Sequence, residues 1–238
     1  MIHYRYCFLK GSVDMKGTIF DLDGLLVDTE RTYRDGWLWG FKQFDIEIPQ
    51  EIVDTWGGKN WKQSYDLLIK MAGTPEMVQK VREKREEYFY QQLHSGAIQL
   101  KPHAKEVLKE LNDQKLILGL ATTTVTKRAS NILDQFSLKP YFHTYTFGDE
   151  VSENKPSPIP YLTALERSGL TASEAFAVED SLVGATSASR AGMGVVLIPD
   201  SSFDRAYTER EKADLSILAE GTDLLIVLEM LEKQKGKK

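Results

Sequence analysis

Only one cysteine, Cys7, occurs in the 238 residues, so neither an internal disulfide framework nor a cysteine-rich zinc site can be built. That usage fits a reducing compartment, and a cytoplasmic location is expected. Long apolar runs are also missing: none reaches the roughly 18 residues that a membrane-spanning helix needs. No apolar stretch followed by a small-residue cleavage site stands near the N-terminus, so no secretory signal is expected. Positive charge is not in excess. Lys and Arg number 30 against 35 Asp and Glu, a net charge of -5, which offers no basic surface for nucleic acid or an anionic membrane. The basic run Lys233, Lys235, Lys237, Lys238 reads as a solvated tail. Internal repeats and low-complexity segments are absent, and no obligate protein partner is evident.

What is present is ordinary for a globular protein, 42% hydrophobic and 27% charged, with enough length for one core and a smaller second domain. Residues 1–14 carry no motif and read as an N-terminal extension ahead of Met15. Lys16–Phe20 has strand character, and a long helical stretch follows from about Thr29 to Phe44. Residues 45–100 carry helical spacing and little strand signal, with Thr74-Pro75 as a helix start. From Pro102 the pattern changes to helix–strand alternation. Helices are expected at His103–Asn112, Lys127–Gln135, Ile159–Ser168 and Leu182–Ala191. Each precedes an apolar strand: Leu116–Ala121, Tyr145–Phe147, Ala175–Val178 and Gly194–Ile198. A helix at Asp223–Lys233 closes the chain. Short apolar strands alternating with helices predict an α/β fold, a Rossmann-like doubly wound parallel sheet with an inserted all-helical domain. The expected boundaries are 15–28 and 99–238 for the core and 29–98 for the insert.

Ligands of such sheets bind at the carboxyl ends of the strands, and polar, reactive residues recur there. After the first strand come Asp21, Asp23 and Gly24, then Asp28-Thr29. Two carboxylates so close to a buried strand repel one another and resist desolvation, a cost that a bound cation would relieve. One can attack phosphorus while the other moves a proton. The bland alternative is a polar turn with helix-capping aspartates. After the second comes Thr122-Thr123-Thr124, hydroxyls and amides that suit a phosphate, or else simple helix capping. Lys155, in Glu153-Asn154-Lys155-Pro156, can neutralise a phosphoryl group, or be a surface lysine. Glu179-Asp180-Ser181 and Gly184 follow an apolar strand; the two acids can complete a magnesium site or cap a helix.

Together and in this order, these pieces resemble the haloacid dehalogenase superfamily over about residues 16–235, in the subgroup with a helical cap after the first motif. The similarity is to its β-phosphoglucomutase and phosphoglycolate phosphatase branch. Asp-x-Asp-Gly-x-x-x-Asp-Thr from Asp21 and Glu-Asp-Ser-x-x-Gly from Glu179 carry it most specifically. The resemblance implies a magnesium-dependent phosphatase of a small phosphorylated metabolite. Asp21 would be the nucleophile and become an aspartyl phosphate, and Asp23 the general acid and base. Thr122 and Lys155 would hold the phosphoryl group. Mg²⁺ would be bound by Asp21, the Asp23 carbonyl, Asp180 and Glu179. The cap would read the substrate through Thr29, Tyr33, Gly58 and Lys59, with Thr123 from the core. Trp56-Gly57-Gly58-Lys59-Asn60 resembles the specificity loop, though an arginine is frequent near Lys59; the alternative for Trp56 is core packing. Dehalogenation would leave the second aspartate without a leaving oxygen to protonate. A sugar-phosphate mutase is the rival activity, but mutases of this type carry a histidine where this chain has Tyr33. A non-catalytic binding module is the third reading, and the presence of every catalytic motif residue speaks against it.

Overall fold

The computed structural model describes residues 5–6, 15–54, 61–200 and 207–235. It divides into two compact units, one of Met1–Val27 with Leu100–Lys238 and one of Asp28–Gln99.

In the first unit the strands are β1 (Arg5–Tyr6), β2 (Gly17–Phe20), β3 (Ile117–Ala121), β4 (Thr144–Thr146), β5 (Ala175–Glu179), β6 (Gly194–Leu197) and β7 (Ile217–Glu220). They form one sheet in the order β1-β7-β6-β5-β2-β3-β4. β1 pairs antiparallel with β7, and all other pairs are parallel. β2 lies between β3 and β5, so the chain winds away from it in both directions, and a crevice opens at the carboxyl ends beside it. Its four residues are all buried, as expected of a central parallel strand covered on both faces. Ile19, Ala177 and Val195 point to one face and join the cluster that includes Tyr161, Ala164, Ala185 and Ala188. Their neighbours Phe20, Phe176 and Val196 face the other way and are equally inaccessible. Each fully buried large apolar side chain contributes about 1.5–3 kcal/mol.

The helices of the second unit are α1 (Glu30–Lys42), α2 (Gln50–Asp54), α3 (Trp61–Ala72) and α4 (Pro75–Ser95). Those of the first unit are α5 (Ala104–Asp113), α6 (Thr126–Gln135), α7 (Ile159–Ser168), α8 (Leu182–Arg190), α9 (Glu209–Lys212) and α10 (Leu225–Lys235). Among the described residues no helix is long and apolar enough to cross a membrane.

Two strands were not expected. Within the segment read as an extension, Arg5–Tyr6 pairs with Glu220 and Ala219 of β7. β7 itself was not read as a strand, because the four residues Ile-Leu-Ala-Glu are too short to show an alternation. The glycine-rich segment Gly57-Gly58-Lys59 lies outside the described residues.

The second unit has its own core, with Phe41, Val53, Leu68, Val78 and Val81 at its centre. α4 starts where the sequence suggests: the Thr74 hydroxyl accepts the Met77 amide at 3.2 Å, Pro75 occupies the first turn and Gly96 ends the helix in a left-handed conformation. Such a cap contributes about 1 kcal/mol. α1 and α4 approach closely at Gly40, where an added Cβ would stand 2.8 Å from the Val81 carbonyl oxygen. Alanine's better helix propensity is worth about 1 kcal/mol, whereas overpacking against a backbone atom costs about 1–3 kcal/mol. The clash should win. Gly40→Ala is expected to lower the urea midpoint of unfolding, and a midpoint above that of wild type would show that the two helices do not meet there.

Candidate active site

The parallel ladder continues one residue beyond β2, the Asp21 amide donating to the Val178 carbonyl at 3.1 Å. Asp21 is thereby fixed at the carboxyl end of the central strand, 7% exposed. Its Oδ1 accepts from Lys155 Nζ at 2.5 Å, and the same ammonium donates to Glu179 Oε1 at 2.7 Å. Lys155 lies in the loop ahead of α7 rather than entering a helix, and it is buried, which rules out the surface-lysine alternative. Glu179 is the last residue of β5, not the first after it. Asp180 follows it and is also buried.

The capping alternatives fail for specific reasons. α8 is capped by the Ser181 hydroxyl, which accepts the Gly184 amide at 3.2 Å, so Asp180 is not used there. The first amide of α6 is bonded by Asp149 at 2.7 Å, so the threonines are not its caps. Instead the hydroxyls of Thr122 and Thr124 donate to Asp23 Oδ2 at 3.4 and 2.7 Å. Thr123, by contrast, is exposed. Gly24 turns the chain with φ of 78°, and a Cβ there would lie 2.2 Å from Asp180 Oδ2; glycine alone tolerates both the angle and the contact.

Asp21, Glu179 and Asp180 each offer a carboxylate oxygen within 4.8 Å of the others. Glu179 Oε2 is buried and accepts no hydrogen bond from the described residues. An unpaired buried carboxylate oxygen costs several kcal/mol, and Lys155 is a single positive charge against several negative ones. The donor set therefore fits a hard divalent cation, which prefers carboxylate oxygens. The titration behaviour agrees. Burial, with Glu179 and Asp23 adding to it, pushes the Asp21 carboxyl up to about 7 even though Lys155 opposes the shift. Burial acts to lower Lys155, but Asp21 and Glu179 hold it above its ordinary value. The two directions are compatible because one ammonium is shared by two carboxylates.

Three further residues belong to this neighbourhood, and two of them, Tyr161 and Asp200, were not singled out in the sequence. Thr124 was named there only within the run Thr122-Thr123-Thr124; it stands two residues from Thr122, the spacing that puts side chains on one side of an extended segment. The Tyr161 hydroxyl, on α7, donates to Glu179 Oε1 at 2.6 Å. Asp200 follows β6 and pairs with Lys101 at 2.5 Å; it carries the same mark as Asp21 and Asp180, an acid just past an apolar strand.

Of the residues expected in the cap, Thr29 is fully buried at the start of α1. Tyr33 stacks on Phe89 at 5.1 Å, and the Arg85 guanidinium lies 4.9 Å from the centre of its ring. Gly58 and Lys59 lie outside the described residues.

Residues 18–198 match the family of haloacid dehalogenase-like hydrolases. The chain belongs to this family. Among its relatives is Protein CbbY of Rhodobacter capsulatus, 28% identical over 79% of this chain and 86% of that one. The phosphorylated carbohydrates phosphatase of Thermotoga maritima is 27% identical over 75% of this chain and 82% of its own. The crystal structure of CbbY from Rhodobacter sphaeroides in complex with phosphate superposes with a TM-score of 0.71 at 24% identity, covering 81% of this chain and 90% of that one. That likeness shows the shared fold.

Asp21 supplies a test of the site's electrostatics in the metal-free hydrolase. Its folded pKa, about 7, lies above the ordinary 3.8, so the fold binds this proton better than the unfolded chain does. The resulting stability is present below the unfolded value and is lost as pH rises through the folded one. In EDTA, unfolding free energy should fall from pH 4 to pH 7 more steeply for wild type than for Asp21→Asn. The difference in slope is at most about 1.4 kcal/mol per pH unit. Equal slopes in urea titrations of the two proteins would contradict the charge crowding described.

Proposed function

We propose that this protein is a magnesium-dependent phosphatase of a small phosphorylated metabolite, working through an aspartyl phosphate on Asp21. The observation that carries the reading is the arrangement at the end of β2. The Asp21 carboxylate sits against the Lys155 ammonium at 2.5 Å, inside a buried set of three acids, with Asp23 held by two threonine hydroxyls. The family supports hydrolysis, and the named activity of the Thermotoga maritima relative supports a phosphorylated carbohydrate or similar ester.

In this reading a carboxylate oxygen of Asp21 attacks phosphorus in line with the ester oxygen. The new bond joins the Asp21 oxygen to phosphorus, the bond from phosphorus to the ester oxygen breaks, and Asp23 gives that oxygen its proton. Asp23, now a carboxylate, takes a proton from water. The hydroxide attacks phosphorus, the acyl phosphate bond breaks, and Asp21 is regenerated with release of phosphate. Lys155 and Thr122 hold the phosphoryl oxygens, and their fixed positions place positive charge and a donor where charge accumulates. Asp21, Asp180, Glu179 and the Asp23 carbonyl would hold Mg²⁺. When bound, the ion offsets the repulsion between the acids and an incoming phosphate and orients the phosphoryl group. The helical unit would select the leaving group through Thr29, Tyr33 and the loop with Gly58 and Lys59.

Asp21→Asn should fold and lose about 10³-fold or more in phosphate release, because the amide is a poor nucleophile. Excess EDTA should silence the wild type, Mg²⁺ should restore it, and Ca²⁺ should not. A panel of phosphorylated metabolites assayed for phosphate release reads all of these. Near-wild-type turnover by Asp21→Asn, or full activity in EDTA, contradicts the mechanism.

Tyr33 bears on the rival mutase activity. A mutase must shield its aspartyl phosphate from water until the sugar returns, and acid–base activity must then wait for the right sugar. Tyrosine, with an ordinary pKa near 10, does not change charge near neutrality as histidine does, and here its ring is committed to Phe89 and Arg85. With β-glucose 1-phosphate, phosphate release should exceed formation of glucose 6-phosphate when both are followed on one enzyme stock. Isomerisation tenfold faster than hydrolysis would make the protein a mutase while leaving Asp21, Asp23 and Asp180 in the same roles.

A further inference from the structure

Glu179 has two carboxylate oxygens in very different situations. Oε1 accepts from the Tyr161 hydroxyl at 2.6 Å and from Lys155 at 2.7 Å. Oε2 is buried and, among the described residues, has no hydrogen-bond donor. The side chain as a whole is 1% exposed, and water does not compensate Oε2 from outside. Behind the carboxylate the space is closed by Gly184, where a Cβ would stand 2.0 Å from Cδ and from both oxygens. Lys155 cannot set the orientation of Glu179 alone, since it is shared with Asp21. The Tyr161 ring is 0% exposed and packed in the core beneath the sheet, 5.2 Å from the Lys155 ammonium. A phenol held that firmly has one direction in which to donate.

We propose that Tyr161 is a positioning residue of the metal centre: by holding Oε1 of Glu179, its hydroxyl leaves Oε2 as the oxygen presented to the cation. The inference rests on the metal-dependent reading above. It also assigns the hydroxyl a second consequence. Sharing Oε1 with Lys155 satisfies part of the Glu179 charge, so Lys155 remains available to Asp21 and to a phosphoryl group. A phenylalanine would fill the same volume and keep the same ring against Lys155, and only the donor would be lost. Residues that orient metal ligands commonly govern affinity by about 10–100-fold.

The test is Mn²⁺ binding to the metal-free protein, followed by electron paramagnetic resonance without any turnover. Four chains are compared: wild type, Tyr161→Phe, Glu179→Gln and the double variant. Asp180→Asn serves as the reference for a damaged site. Tyr161→Phe is expected to melt cooperatively and to bind Mn²⁺ about 10–100-fold more weakly than wild type. Because Tyr161 acts through Glu179, the double variant should bind no more weakly than Glu179→Gln. Wild-type affinity in Tyr161→Phe, with Asp180→Asn impaired, overturns the inference and leaves the metal site standing. Fully additive losses in the double variant overturn it as well. Wild-type affinity in Glu179→Gln does the same even where Tyr161→Phe does not fold. A wild-type protein that binds no Mn²⁺ overturns the metal reading itself, and the inference with it.

Discussion

The Lys155 ammonium, buried between Asp21 and Glu179, is the interaction on which the site depends. Three carboxylates converge at the end of the central sheet, and a charged group taken out of water is expensive unless it is paired and hydrogen-bonded. One lysine cannot neutralise Asp21, Glu179 and Asp180 together. The fold must therefore hold these groups against their mutual repulsion. It does so with backbone: the ladder places Asp21 beside Val178, and Glu179 is itself a ladder residue of β5.

That residual negative charge has chemical use. Burial leaves the Asp21 carboxyl poised near neutrality, and the three acids make a place whose oxygens suit a divalent cation. The surrounding contacts are arranged to keep the place open. Gly24 and Gly184 leave room where a Cβ would strike Asp180 or Glu179, and Ser181 takes over the helix cap that an aspartate would otherwise supply. Thr122 and Thr124 both donate to Oδ2 of Asp23. Tyr161 and Lys155 together use up one oxygen of Glu179.

Much of this was legible beforehand because it depends on short-range patterns. The alternation of helices with apolar strands reports a parallel sheet, and parallel order sends every strand end that follows a helix to the same edge. Acids and hydroxyls placed just after such strands then share one edge of the sheet, and those on the neighbouring strands β3, β2 and β5 lie side by side. β7 was missed because its short apolar run, Ile217–Glu220, shows no period of its own, and its pairing with β6 and β1 makes it a strand. Arg5–Tyr6 is an edge strand for the same reason. Asp200 was within reach of the rule that found Asp21 and Asp180, since it too follows an apolar strand. No pattern in the sequence singles out Tyr161, since a tyrosine on the apolar face of a helix looks like any core residue.

The sequence by itself determined which residue types stand at the strand ends: acids, hydroxyls and a lysine, in an order that resembles the motifs of the haloacid dehalogenase-like hydrolases. Tertiary structure alone decided how those residues share their charges. Glu179 turns one oxygen to Lys155 and Tyr161 and keeps the other apart, and Asp23 takes its hydrogen bonds from Thr122 and Thr124 across about a hundred residues of chain. Hydrogen bonds and desolvation depend on distance and burial in three dimensions. Those are set by the packing of α7 and the central strands against one another, long-range relations to which local spacing is blind.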